Sequence, residues 1–100
     1  MALDPVDYAV ISQALAAAAR EMGTKLVRSA YSTIVREARD ASAAILDCEG
    51  NVIAQAEMIP MQLGSMGVTL RACLEAFPAA TLAEHDFLVN NHPFFGGQHL

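Results

Sequence analysis

The chain has 100 residues, 54% of them hydrophobic, and a formal net charge of -5, with a mean hydropathy of +0.33. Its six Lys and Arg are spread along the sequence and do not make the clustered basic surface that binding to nucleic acid requires. No apolar run reaches the ~18 residues of a membrane span, so nucleic acid and membrane are both excluded as expected partners.

The composition is too apolar for a disordered segment, and a chain this short removes only a modest share of its surface from water. Apolar surface is therefore expected to remain for a larger body or an oligomer, and the isolated chain is expected to be marginally stable. Asp4 and Asp7 follow Met1 where a signal peptide would carry a basic region and an apolar core, which points to a cytoplasmic protein. Cys48 and Cys73 lie far apart without a CxxC spacing, and the expectation is two reduced, buried cysteines.

Asp4-Pro5 is a helix start, with Asp as N-cap and Pro pre-organised at the first helical position. Apolar residues then recur at Val6, Val10, Ile11, Ala14, Leu15, Ala18, Met22, Leu26 and Ala30, close to helical spacing. This predicts one long helix, with Gly23 as the alternative end. The stretch "ASAAILDCEGNVIAQAE" predicts a β-hairpin, with runs at 43–47 and 52–56 around a turn at Glu49-Gly50-Asn51. A loop broken by Pro60 and Gly64 leads to a second helix over about 65–77, capped by Ser65 and stopped by Pro78. "HDFLVNN" predicts a short last strand, and "HPFFGGQHL" a loop. The fold class is α+β: long N-terminal helix, hairpin, second helix, short strand.

Three stretches carry candidate chemistry. In "NNHPFFGGQHL", His92 and His99 flank a Gly-Gly turn; imidazole is a common metal ligand, but two histidines seven apart fit a hydrogen-bonded or surface role better on spacing alone. In "YSTIVREARDAS", Glu37 and Asp40 alternate with Arg36 and Arg39. On a helix that is a solvated salt-bridge face; on an irregular segment the same carboxylates can serve as metal ligands or as a general base. In "MQLGSMG", Gly64 and Ser65 allow close backbone approach and an amide-rich helix start suited to an oxyanion, although a tight loop with a capped helix explains them equally.

Taken together, "DPVDYAVISQALAAAAREMGTKLVRSAYSTIVREARDASAAILDCEGNVIAQA", "IPMQLGSM" and "NNHPFFGGQHL" resemble, in order and spacing, the amino-terminal part of the hydantoinase B/oxoprolinase family, from about Leu3 to Leu100. The resemblance implies that residues 1–100 are the truncated amino-terminal part of a larger domain. In the family pattern the Gly-Gly motif continues to His-Leu-Pro-Asp, so the Asp of a His/Asp metal pair falls just past Leu100. It further implies ATP-dependent opening of cyclic amides such as 5-oxoproline or hydantoin. A divalent metal (Mn, Zn or Mg) sits in the B-type part, and ATP is handled by a hydantoinase A-type partner in a hetero-oligomer. Carboxylation of small ketones, and a non-catalytic interaction fragment, are the alternatives.

By position, the resemblance makes His99 the first metal-ligand candidate, with Glu37 and His92 beside it, and Glu37 and Asp40 the catalytic candidates. Gly64, Ser65, Asn91, Gly96 and Gly97 are the substrate-binding candidates. At His92 the family commonly has Asp, and at Phe94 a Tyr, so both positions depart from the pattern.

Overall fold

The computed structural model describes residues 2–56, 58 and 63–97. Helix α1 spans Pro5–Ser29. The Asp4 carboxylate accepts the Val6 amide at 2.7 Å, satisfying one of the amides that a helix start leaves without a partner. The helix passes through Gly23 without a break. A single helical turn, α2 (Thr33–Arg36), follows, and then the hairpin of β1 (Ala44–Leu46) and β2 (Val52–Gln55). Helix α3 (Leu63–Ala76) and two 3-10 turns, Ala79–Thr81 and Pro93–Phe95, complete the described elements. No helix among the described residues is long and apolar enough to cross a membrane.

The hairpin is antiparallel, pairing Ala44 with Gln55, Ile45 with Ala54 and Leu46 with Val52, with a register shift between Ile45 and Leu46. Ile53 is thus the extra residue of a β-bulge. Asp47 builds the turn. Its carboxylate accepts the amides of Glu49 and Asn51 and the Asn51 side-chain amide, each at 2.9 Å. Gly50, at φ 89°, takes the left-handed conformation that the turn requires.

Alanine makes up the whole buried apolar set among the described residues: Ala19, Ala41, Ala43, Ala54 and Ala56. The α1 face turned to the hairpin carries Ala19 and Gly23, and a Cβ added at Gly23 would stand 3.0 Å from the Ala56 Cβ and 3.2 Å from the Met58 sulfur. Small residues let helix and hairpin come close, and they bury little area in doing so.

The helix expected from sequence is therefore present, but its expected apolar stripe is not the buried one. Val6, Val10, Ile11, Met22 and Leu26 stay exposed, because the hairpin seats on the alanine and glycine face instead. The accessible surface is 7691 Å², against roughly 5,500 Å² for a compact monomer of this mass. The radius of gyration is 14.9 Å, against about 13 Å for a compact chain of this length.

Three further expectations are corrected. Residues 85–91 form no strand: Phe87 and Val89 are 90% and 94% exposed, and no ladder partner exists among the described residues. Ser65 is not the cap of α3, which already begins at Leu63. Cys48 is exposed on the hairpin turn rather than buried, and Cys73 is half-buried, both as free thiols.

Candidate functional site

Residues 90–97 are held by their own polar groups. The Asn90 carboxamide bridges the loop, its oxygen accepting the His92 amide at 2.8 Å and its nitrogen donating to the Phe95 carbonyl at 2.7 Å. The His92 carbonyl accepts the amides of Phe95 and Gly97 at 3.0 and 2.9 Å. Its ring Nδ1 accepts the Phe94 amide at 3.3 Å, and the imidazole lies 4.6 Å, centroid to centroid, from the Phe95 ring. His92 thus caps the 3-10 turn Pro93–Phe95.

That turn packs on α3, and Gly96 makes the approach possible. At φ 92° it occupies the left-handed region, and an added Cβ would fall on the Thr69 hydroxyl, 2.9 Å from the Thr69 nitrogen and 3.0 Å from the Ser65 carbonyl oxygen. Thr69 in turn donates its hydroxyl to that Ser65 carbonyl at 3.0 Å. Gly97 lies against the backbone of Asn91 and His92. Of the substrate-binding candidates, Ser65, Asn91, Gly96 and Gly97 therefore meet at one place, the first turns of α3. Gly64 is exposed, with open space where a side chain would project.

Another face of the same turns of α3 fixes the hairpin turn. An added Cβ at Gly67 would stand 2.6 Å from the Gly50 carbonyl oxygen, and the Arg71 guanidinium reaches the Glu49 carbonyl at 3.5 Å. The helix thus joins the hairpin turn to the loop of residues 90–97.

Glu37 and Asp40 stand on another support. Glu37 caps α2, its amide donating to the Thr33 carbonyl at 2.9 Å, and α2 packs on α1. Glu37 is exposed and makes no ion pair with Arg36 or Arg39 among the described residues. The chain then turns through Arg39 at φ 54°, with the half-buried Asp40 donating its amide to the Ile34 carbonyl at 3.2 Å. Of the two sequence readings of this segment, the irregular one holds beyond Arg36.

The expected metal ligands do not assemble among the described residues. No three His, Cys, Asp or Glu side chains there are grouped to hold an ion. His99 lies outside the described residues. His92 spends Nδ1 on the Phe94 amide, which places the ring proton on Nε2 and leaves neither nitrogen free to ligate in this arrangement. Sequence reasoning singled out Asn91 and passed over Asn90, the residue that organises the loop. The signal was present, because Asn before a turn closes it through local side-chain to backbone bonds.

Residues 4–100 match the hydantoinase B/oxoprolinase family. The chain is 37% identical to the 5-oxoprolinase of Saccharomyces cerevisiae over 98 residues, covering 98% of this chain and 8% of that protein. It is 36% identical to 5-oxoprolinase 1 of Arabidopsis thaliana, over 97% of this chain and 8% of that one. It is 34% identical to the caprolactamase subunit beta of Pseudomonas jessenii, over 98% of this chain and 17% of that subunit. The chain thus spans less than a tenth of the length of the 5-oxoprolinases it matches, and no solved structure matches it. With the match running almost from end to end, and with the Asn-Asn to Gly-Gly loop seated on its helix, this chain belongs to the hydantoinase B/oxoprolinase family.

Proposed function

We propose that these residues form part of an ATP-dependent amidohydrolase that opens small cyclic amides of the 5-oxoproline or hydantoin type, working with a hydantoinase A-type subunit that handles the nucleotide. The observation that supports this most is the match over residues 4–100 to relatives whose names point to 5-oxoproline and caprolactam. Both compounds are lactams. The word subunit in the second name is in keeping with a hetero-oligomer.

Amide resonance makes a lactam carbonyl a poor electrophile. Transfer of the γ-phosphoryl group of ATP to the carbonyl oxygen releases ADP and leaves a carbon that water can attack. The attacking water gives its proton to a carboxylate, the ring C–N bond breaks with the nitrogen taking up a proton, and a second water releases phosphate. In this reading Glu37 or Asp40 takes the proton, and Ser65, Asn91 and the Gly96-Gly97 backbone line the surface that holds the ring. The described residues do not by themselves fit a metal ion. A divalent metal enters the proposal only through His99, with Glu37, and no step is assigned to it.

The test is an assay of these residues in a full-length subunit of the family, mixed with an A-type partner, for ring opening and ADP release with 5-oxoproline and hydantoin. The expected result is turnover of one of them, coupled to ADP release and lost in Glu37→Gln or in Asp40→Asn. ADP release without ring opening, or carboxylation of a ketone in its place, would overturn the reading.

A further inference from the structure

Three of the six cationic residues of this acidic chain, Arg20, Arg28 and Arg39, line a single cavity of about 440 Å³, together with Gly23, Thr24, Val27, Ala56 and Met58. Arg20, Thr24 and Arg28 follow one another at intervals of four on α1, so they share one face of the helix. Arg39 comes to the same cavity from the turn after α2, where its left-handed backbone redirects the chain. Gly23 shapes the floor, because its missing side chain admits Ala56 and Met58.

No described acidic residue lines this cavity, and none of the three arginines forms an ion pair or side-chain hydrogen bond among the described residues. Lys25, by contrast, is paired with Glu21 at 3.3 Å. All three arginines are exposed, so water screens their mutual repulsion. An anion among them would meet three cations at once, and guanidinium groups match the flat or tetrahedral array of oxygens on carboxylates and phosphates.

We propose that this cavity binds a small oxyanion, a carboxylate or a phosphoryl group, whose apolar part rests on Val27, Ala56 and Met58. The volume suits a small molecule. Thr24 adds a hydroxyl donor beside the three arginines.

The experiment is an NMR titration of a full-length family subunit carrying these residues, labelled at its threonine and methionine methyl groups, with sodium phosphate and, separately, with sodium 3-methylbutyrate, each at ionic strength matched with sodium chloride. The expected result is saturable shifts at Thr24 and Met58 with at least one of the two, and none with chloride alone. Arg28→Gln and Arg39→Gln weaken binding about tenfold or more, whereas Arg36→Gln, outside the cavity, leaves it unchanged. Arg28→Lys keeps the charge and the fold while losing the planar fork, and it too weakens binding. Tighter binding of phosphate assigns the site to a phosphoryl group, and tighter binding of 3-methylbutyrate assigns it to a carboxylate. Shifts that rise linearly without saturating, or equal weakening by Arg36→Gln, would mean general charge screening and overturn the proposal.

Discussion

Gly96 and Thr69 are in such close apposition that a methyl group at Gly96 would occupy the position of the Thr69 hydroxyl. This contact seats the 90–97 loop on the first turns of α3 and carries Ser65, Asn91, Gly96 and Gly97 to one place.

Gly96→Ala should therefore lift the loop from the helix. It imposes both a left-handed backbone on a residue with a Cβ and an overlap with α3, a combined cost of about 1–3 kcal/mol. Amide chemical shifts of residues 90–97 and of Thr69 should move together in this variant. Shifts confined to Gly96 and its neighbours in sequence would show that the contact does not hold the loop.

Asn90→Ala removes both bonds that bridge the loop, to the His92 amide and to the Phe95 carbonyl. The expected loss is about 1–3 kcal/mol, read as faster hydrogen exchange at the His92 amide. Asn91→Ala should have a much smaller effect. Equal effects of the two would contradict the assignment of the bridge to Asn90.

Gly23→Leu places a large side chain where 3.0 Å separates an added Cβ from Ala56. Leucine is the better helix former by close to 1 kcal/mol, yet overpacking at this contact should win and destabilise the chain by about 1–3 kcal/mol. A urea titration followed by helical circular dichroism decides the sign. Stabilisation would mean that the hairpin does not lie on this face of α1.

The Asp47 carboxyl is held below its ordinary range, chiefly by the Asn51 side-chain amide and then by the Asn51 backbone amide, with the amides of Glu49 and Gly50 adding to the effect. A depressed carboxyl contributes stability that is complete above the unfolded-state pKa and disappears as pH falls through the folded one. Hairpin amide shifts should therefore be flat from neutral pH down to the usual carboxylate range and collapse only below it. Asp47→Asn should remove most of that acid dependence. An unchanged acid transition in the variant would place its origin elsewhere.

Local chemistry made much of this fold legible. Asp4-Pro5 marked the start of α1, Pro78 the stop after α3, and Glu49-Gly50-Asn51 the hairpin turn, because each depends on bonds made within a few residues. The buried face of α1 was not legible, since the larger apolar residues read as the core while the contact itself is made by Ala19 and Gly23. Phe87 and Val89 raised a strand signal that tertiary pairing did not support. At the site, the resemblance marked the Gly-Gly loop, but His92 acts as a cap because its ring lies beside the Phe94 amide, a relationship that residue spacing does not contain.

The proposed ring opening driven by ATP is tested by ADP release measured together with ring-opened product from 5-oxoproline or hydantoin. The assay uses a full-length family subunit carrying these residues and its A-type partner, in native, Glu37→Gln and Gly96→Ala forms. ADP and product should appear in step for the native form with one of these amides. Product should fall about 10²–10⁴-fold in Glu37→Gln if that carboxylate takes the proton, and Gly96→Ala should be impaired through substrate binding. No ring-opened product from either cyclic amide, or full activity in both variants, would contradict the proposal.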